Sequence, residues 1–167
     1  MEAHERIIEQ LQLEAHPEGG FFKETYRSSF LISYEDVDDK GVVHRNCATC
    51  IYFLLTSTTF SAFHKIGQDE IWHFYKGSPI VLHMISPAGA HSEVIIGNDL
   101  EVGQFPQYVV PKEHWFAAKT LGKEGYSLVG CTVAPGFDFK DFELAERDKM
   151  ISQFPDHKDL IEAFTRV

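Results

Sequence analysis

The stretch FSAFHKIGQDEIWHFYKG, residues 60–77, decides the fold that the sequence predicts. Its two halves predict β-strands, because apolar and aromatic side chains recur at every second position and a short loop separates them. Side chains alternate across a strand, so His64 shares a face with Ala62, and Glu70 shares a face with Trp72 and Phe74. If these faces point inward, His64 and Glu70 face each other across the lumen of a barrel.

The opposite face of the second strand carries Ile71, His73 and Tyr75 and is also largely apolar. A strand that is apolar on both faces needs cover from a second sheet, a helix or another subunit. Because oligomers commonly bury such faces, we expect a homodimer.

His83 lies on the next predicted strand, after the turn KGSP at residues 76–79. If that turn closes a hairpin with a four-residue loop, His83 lies on the face of Glu70. With a three-residue loop it lies on the face of His73, since a slip of one residue moves every side chain to the other face. Both registers remain open on the sequence.

Length, charge and cysteine content restrict the class of protein. A chain of 167 residues with 44% hydrophobic residues suffices for one domain, over residues 1–167. The 15 basic and 25 acidic residues give a net charge of −10, which disfavours nucleic acid and anionic lipid as partners. No apolar run is long enough to span a bilayer, the first residues lack the apolar core of a signal peptide, and the three cysteines are an odd number. We expect a cytoplasmic protein that binds a small molecule.

The rest of the chain predicts an all-β domain. Short runs rich in β-branched and aromatic residues are separated by clusters of glycine, proline, asparagine, aspartate and serine, which is the pattern of a barrel or sandwich. The runs outside residues 60–77 are FFKETYRSSFLI, CIYFLLT, IVLHMI, HSEVIIG, QYVVP, HWFAAKT and YSLVGCTV.

Both ends of the chain predict peripheral helices. An apolar stripe predicts a helix over about residues 4–13, which HPEGG at residues 16–20 stops. Helices are also expected over about residues 142–166, with Asp141 as the N-cap of the first and Pro155 near the start of the second.

Two motifs resemble those of the cupin superfamily. The spacing from His64 through Glu70 to Gly77 resembles its first motif, in which two histidines and a glutamate bind a divalent metal. Gly103 followed by VVPKEHWFAA resembles a degenerate second motif. With HPEGGFFKETYRS, CIYFLLT and GCTVAPGFDFKDFELA, the chain is similar to a branch of small, mostly uncharacterised cupin-like proteins of bacteria and fungi. The resemblance covers nearly the whole chain and implies a cupin-type double-stranded β-helix (jelly-roll) barrel.

The sequence departs from the metal-binding pattern that the resemblance implies. Ala62 stands where the first motif has a histidine, and Phe116 stands where the second motif has one. Only His64 and Glu70 carry over as metal ligands, whereas a metal site normally has three or more protein ligands. We therefore expect no tightly bound divalent metal.

Two other histidines keep a metal site open as an alternative. His114 lies two residues before Phe116 and shares its face if the segment is a strand. His83 shares the face of Glu70 under the four-residue loop. Either residue would add a third ligand.

Three functions are compatible with such a lumen. By analogy with cupin-like sugar epimerases that need no metal, the first is an isomerase or epimerase, with His64 as the base that Glu70 orients. In that scheme Tyr126 is a candidate acid and Arg27 an anchor for an anionic group of the substrate. The second is a non-catalytic module that binds a small polar metabolite, and the third is a metal-dependent dioxygenase. The aromatic residues expected in the lumen are Trp72, Phe74, Trp115 and Phe116.

Overall fold

The structure is a computed structural model that describes residues 2–35, 41–122 and 125–167. The helices are α1 (Ala3–Leu11), α2 (Arg147–Gln153) and α3 (Lys158–Ala163). The strands are β1 (Glu14–Ala15), β2 (Phe21–Arg27), β3 (Leu31–Glu35), β4 (Val42–Asn46), β5 (Thr49–Thr56), β6 (Phe60–Lys65), β7 (Asp69–Gly77), β8 (Ile80–Ile85), β9 (His91–Ile96), β10 (Gln107–Val110), β11 (Trp115–Thr120), β12 (Tyr126–Ala134) and β13 (Glu143–Leu144).

Within these residues the strands form two sheets and a separate hairpin. The six-stranded sheet has the order β1-β2-β5-β12-β7-β10, and the five-stranded sheet has the order β13-β6-β11-β8-β9. Among the strands that the structure describes, β3 and β4 pair with each other and with no other strand. The all-β barrel with peripheral helices that the sequence predicts is confirmed.

The interior between the sheets is apolar because alternate residues of each strand point into it. On β5, Phe53 and Leu55 belong to the interior cluster, whereas Leu54 packs on the other face of the sheet. That outer face is covered in part by α1, through Ile7 and Ile8. The near-continuous apolar run of β5 therefore reflects cover on both faces of the strand.

The five-stranded sheet is covered on its outer face by the C-terminal helices. Phe63, Trp115 and Ala117 of that sheet pack against Ile161 and Phe164. Side chains of this sheet consequently face either the barrel interior or the C-terminal helices, and Trp115 belongs to the second group.

The expected hairpin between β7 and β8 is wrong. Strand β7 pairs with β12 and β10, whereas β8 pairs with β11 and β9, so the turn at residues 76–79 carries the chain from one sheet to the other. His83 lies opposite Ala117 and Glu93 in the second sheet, and its ring is 5.0 Å from that of Phe164. It therefore faces the C-terminal helices, and neither hairpin register applies.

The C-terminal helices begin later than expected. Asp141 does not cap a helix but ends the 3₁₀ turn Phe139–Asp141, and its carboxylate accepts two hydrogen bonds of 2.7 Å from Arg45. The following residues Glu143–Leu144 form β13 and pair with β6. The first C-terminal helix, α2, starts only at Arg147. No helix in the described ranges has both the length and the apolar character needed to cross a membrane.

The outer face of the six-stranded sheet carries a row of side chains without formal charge. Five of them lie side by side across five strands, namely Tyr26, Cys50, Thr132, Ile71 and Val109. Tyr26 and Val109 are exposed, although both are apolar or aromatic. On a chain with a net charge of −10, an uncharged row of this length suits contact with a second copy of the same face.

We expect the protein to elute as a dimer of 19.0 kDa chains and the variants Ile71→Lys and Val109→Lys to elute as monomers. The reason is that a lysine on this row would have to bury its charge in an interface formed by two copies of the face. Size-exclusion chromatography with light scattering measures the mass directly. Leu100→Lys, at an exposed site of a 3₁₀ turn, is the matched control and should remain a dimer. A monomeric wild-type protein would contradict the expectation.

Candidate active site

A cavity of about 300 Å³ lies between the two sheets. It is lined by residues of the turn at 16–20, of β2, β5, β6, β7 and β12, of the segment 137–142, and by Ile66 directly after β6. The lining residues are His16, Glu18, Phe22, Glu24, Arg27, Thr49, Ile51, His64, Ile66, Glu70, Cys131, Val133, Phe137, Asp138, Phe139 and Phe142. The predicted pair His64 and Glu70 therefore meets in one cavity, as the strand alternation requires.

The turn at residues 16–20 places Glu18 in this cavity. The amide of His16 donates to the carbonyl of Gly20, and the amide of Gly19 donates to the carbonyl of His16, both at 2.9 Å. Gly19 and Gly20 have φ of +108° and +77°, a region that side chains disfavour. A Cβ at Gly19 would also overlap the carbonyl of Phe60. The two glycines thus allow the turn to lie directly against the barrel.

Two further bonds fix the backbone of Glu18. Its carbonyl accepts from the amide of Ala62 at 2.8 Å and from Nη1 of Arg166 at 2.7 Å. Arg166 also donates to the carbonyl of Phe60 at 2.9 Å. The backbone at Glu18 is therefore held by β6 and by Arg166, which lies 148 positions later in the chain.

Glu18 and His64 form a buried ion pair. Oε2 of Glu18 lies 2.6 Å from Nε2 of His64, and Nδ1 of His64 lies 2.7 Å from the carbonyl of Ala62. Burial lowers the pKa of His64, but the charge and hydrogen bond of Glu18 outweigh it and raise that pKa above its ordinary value. Burial raises the pKa of Glu18, but the charge and hydrogen bond of His64 outweigh it and lower that pKa. Both pKa shifts favour the ion pair, in which the two N–H groups of His64 donate to the Glu18 carboxylate and to the carbonyl of Ala62.

Glu70 is a second buried carboxyl group, and it titrates near neutrality. Burial raises its pKa to about 7, with the charge of His64 opposing the increase and that of Glu18 adding to it. Its neighbour on β12 is Cys131, whose thiol makes a side-chain hydrogen bond with it and has a pKa raised well above the ordinary value, first by burial. Glu70 can therefore both accept and release a proton at neutral pH, whereas Cys131 stays protonated.

His16 contributes a neutral imidazole to the cavity. Its Nδ1 accepts a hydrogen bond of 3.1 Å from the amide of Glu18, so the proton of the neutral ring is on Nε2. Burial lowers the pKa of His16, which outweighs the opposing charge of Glu18. The ring of His16 packs edge-on against the ring of Phe22, with 4.6 Å between the ring centroids. His16 is thus a hydrogen-bond donor that does not carry a charge at neutral pH.

Arg27 lines the cavity, as predicted, but its guanidinium is engaged by the protein. Nη2 lies 2.6 Å from Oε1 of Glu24 and 3.0 Å from the carbonyl of Phe137, and Nη1 lies 2.8 Å from Oδ1 of Asn46. These bonds connect β2 to the segment 137–142 that borders the cavity. Arg27 therefore holds the wall of the site together.

The predicted aromatic residues lie beside the cavity, outside its lining. Trp72 and Phe116 are buried in the interior cluster, and Phe74 packs against it. The ring of Phe116 is 4.0 Å from that of His64, so it supports the histidine from behind. Trp115 packs on the outer face of the five-stranded sheet with the C-terminal helices.

The remaining predicted site residues lie elsewhere. Tyr126 packs in the outer cluster near α1, and His83 bonds to His91 at 3.1 Å on the outer face of the other sheet. His114 precedes β11, and its Nδ1 lies 3.2 Å from the carbonyl of Lys112. The structure does not bring any of these three residues to the cavity with His64.

The donor groups do not fit the metal that the cupin motif implies. Both nitrogens of His64 are engaged by Glu18 and Ala62, and Phe116 occupies the place of the second-motif histidine. Among the described residues, no group of three or more His, Cys, Asp and Glu side chains is arranged to hold a metal ion. The chemistry of the site is therefore derived from its own side chains.

Residues that the sequence analysis did not assign to the site include His16, Glu18 and the rings of Phe137, Phe139 and Phe142. In the sequence, HPEGG predicts the end of a helix and contributes to the cupin resemblance, but neither observation assigns His16 or Glu18 to the site. A histidine and a glutamate two residues apart, followed by two glycines, were the available signal for a turn that approaches another strand closely.

The topology and a site centred on the cavity between the sheets define a protein of the cupin fold. Oxalate decarboxylase of Bacillus subtilis shares this fold with a TM-score of 0.54 at 11% identity, covering 90% of this chain and 36% of that chain. Residues 5–145 match the family Cupin_5, described as Cupin superfamily (DUF985), and the chain belongs to that family.

Three relatives share most of their length with this chain. The crystal structure of protein SO0799 from Shewanella oneidensis is 37% identical, with a TM-score of 0.87 and 99% coverage of both chains. A hypothetical protein from Leishmania major is 32% identical, with a TM-score of 0.90 and coverage of 99% of this chain and 100% of that one. The uncharacterized protein YML079W of Saccharomyces cerevisiae is 34% identical over 82% of this chain and 72% of its own length. The predicted membership of a small, uncharacterised cupin branch is confirmed.

Replacing Glu70 by Gln should stabilise the protein at alkaline pH relative to wild type. The folded protein keeps the Glu70 proton up to about pH 7, whereas the unfolded chain loses it near 4.5. The free energy of unfolding of wild type therefore falls as pH rises through this window, by about 3 kcal/mol for this group. Glu70→Gln lacks that loss, and urea unfolding of both proteins at about pH 4 and about pH 8 measures the difference.

The exposed substitution Glu9→Gln on α1 makes the same chemical change at the surface and serves as the control. Its stability relative to wild type should stay constant across the same pH range. If the difference in free energy of unfolding between Glu70→Gln and wild type is also the same at both pH values, Glu70 ionises normally in the folded protein.

Proposed function

We propose that the protein is an acid/base enzyme of the isomerase or epimerase kind, acting on a small polar metabolite bound in the cavity. The observation that carries the proposal is Glu70, a buried carboxyl group with a pKa of about 7 in a cavity that also presents the neutral His16. A general base is most effective when its pKa is close to the working pH. Pairs of titratable groups whose environments push their pKa values apart are typical of acid/base sites.

In the proposed reaction Glu70 accepts a proton from a carbon next to a carbonyl group of the substrate. The electron pair of the C–H bond moves to the carbonyl oxygen, which gives an enolate. His16 donates a hydrogen bond from Nε2 to that oxygen, as a neutral imidazole can without losing its proton. Glu70 then returns the proton to the same carbon on either face, or to the neighbouring one.

The role of the base moves from His64 to Glu70 for a geometric reason. Both nitrogens of His64 already donate, to Glu18 and to the carbonyl of Ala62, so neither has a free lone pair. The His64–Glu18 pair instead sets the field of the cavity. Burial is the largest influence on the pKa values of Glu70 and His16, and on both groups the charge of His64 lowers the pKa while that of Glu18 raises it.

We further propose that this reaction takes place in the cytoplasm on a free metabolite. Cys47, Cys50 and Cys131 are all free thiols, which suits a reducing compartment. The net charge of −10 disfavours nucleic acid and anionic membranes as partners.

A second candidate is a non-catalytic module that binds a small molecule. It is favoured by the aromatic border of the cavity, where the ring centroids of Phe137 and Phe139 are 4.9 Å apart and those of Phe139 and Phe142 are 5.8 Å apart. Pockets for small molecules are commonly lined by such rings with a few polar groups.

Proton NMR in D₂O separates the two candidates. With a panel of neutral ketoses and simple hydroxyketones, the wild-type protein should catalyse deuterium incorporation at the carbon next to the carbonyl group. Glu70→Gln should lower that rate by roughly 100-fold or more, because a positioned base contributes about that much. Glu9→Gln should exchange at the wild-type rate. Exchange that survives Glu70→Gln would remove Glu70 from the mechanism, and ligand binding without exchange in wild type would favour the binding module.

A further inference from the structure

The cationic groups that line the cavity, Arg27 and His64, are each paired with an internal carboxylate, and this pairing restricts the ligand. We propose that the site takes an uncharged carbonyl compound with an apolar arm, and that it rejects ligands carrying a carboxylate or a phosphate. This inference rests on the proposed function for the carbonyl group, because that group is the one at which proton transfer would occur. The exclusion of anions and the place of the apolar arm follow from the contacts of the cavity alone.

Arg27 is a poor receptor for an anion because its guanidinium donors already bond to groups of the protein. Glu24 takes both Nε and Nη2, at 3.2 and 2.6 Å, in the two-pronged arrangement that a ligand carboxylate would need. The remaining Nη1 donates to Asn46, and Nη2 is shared with the carbonyl of Phe137. An anionic ligand would have to displace an internal carboxylate of the same chemistry.

His64 is the other cation of the cavity wall, and it is likewise not available to bind an anionic ligand. Its Nε2 is 2.6 Å from Glu18 and its Nδ1 is 2.7 Å from the carbonyl of Ala62, so both N–H groups are used. The imidazolium charge is compensated at contact distance by the Glu18 carboxylate. The pair therefore presents little net charge to a ligand.

Acidic groups outnumber basic ones along the lining. Beyond the two internal pairs, the cavity is bordered by Glu70 and by Asp138, whose Oδ1 accepts from the amide of Lys140 at 2.9 Å. A carboxylate or phosphate entering this space would lose hydration, meet like charges and gain no free cation. A neutral carbonyl oxygen needs only a hydrogen-bond donor, which Nε2 of His16 provides.

The apolar arm is assigned to the aromatic border. Phe137, Phe139 and Phe142 come from one segment after β12, and their centroids lie 4.9–6.3 Å apart. The ring of His16 approaches Phe142 at 6.0 Å, so the proposed donor for the carbonyl oxygen is adjacent to the apolar border. A volume of about 300 Å³ accommodates a small ligand of this kind.

Two compounds of nearly the same shape test the inference. 4-Phenylbutan-2-one and 3-phenylpropanoate share the ring, the two-carbon arm and a carbonyl oxygen, and differ in a methyl group against a charged oxygen. NMR titration of the wild-type protein should give a Kd for the ketone at least ~10-fold lower than for the carboxylate, which corresponds to about 1.4 kcal/mol. A carboxylate that binds as tightly as the ketone, or a ketone that does not bind, would overturn the proposal.

The variant Glu24→Gln tests the physical cause of the exclusion. Removing the internal carboxylate leaves the charge of Arg27 uncompensated at the cavity wall, so the affinity for 3-phenylpropanoate should rise by roughly 10-fold while that for the ketone stays within about 2-fold. The double variant Glu24→Gln/Arg27→Gln, which has no such charge, should return to the wild-type preference. An unchanged carboxylate affinity in folded Glu24→Gln would show that the Arg27–Glu24 pair does not set the selectivity.

Glu70→Gln distinguishes failure of this inference from failure of the proposed function. That variant should lose deuterium exchange and still bind the ketone, because His16 and the aromatic border of the cavity are unchanged. A wild-type protein that prefers the ketone but catalyses no exchange would refute the enzyme and leave the ligand class standing. A protein that exchanges protons of carboxylate-bearing ketones as fast as those of neutral ones would refute the ligand class and leave the enzyme standing.

Discussion

The hydrogen bond between Glu18 and His64 is the contact on which the site depends. Two ionised groups withdrawn from water are tolerated only when each compensates the other, and a distance of 2.6 Å provides that compensation. Loss of either partner would leave a buried charge, at a cost of about 3–5 kcal/mol. The same pair fixes the electrostatic conditions for its neighbours, since its charges act on both Glu70 and His16. Structure and proposed chemistry therefore depend on one contact between a turn and a strand.

Part of this site could be predicted from the sequence by strand alternation alone. Within residues 60–77 a period of two puts His64 on the face of Ala62 and Glu70 on the face of Trp72, and in the structure both His64 and Glu70 line the cavity. The barrel itself followed from the short β-rich runs and from the motif resemblance. The burial of Trp72 and Phe116 beside the cavity also agrees with the expectation that they lie inside the barrel.

Other features of the site could not be predicted from the sequence, because they depend on contacts between segments that are far apart in the chain. The partner of His64 comes from a turn 46 positions earlier, and no local pattern shows that this turn docks on β6. A turn such as KGSP has the same composition whether it closes a hairpin or crosses between sheets, so the position of His83 could not be read from it. Arg27 lines the cavity, but its partners at Asn46 and Phe137 belong to other parts of the chain and could not be inferred from its own strand.

The contact between Arg166 and the carbonyl of Glu18 joins residues separated by 148 positions. Contacts of such large sequence separation form late, because most of the loop entropy must be lost before they contribute. During synthesis the turn at residues 16–20 is made early, yet the arginine that clamps it is added more than a hundred residues afterwards. The cavity therefore acquires its final shape only when the barrel has closed and the C-terminal helices have docked. Ligand binding to this cavity would report on completed folding of nearly the whole chain.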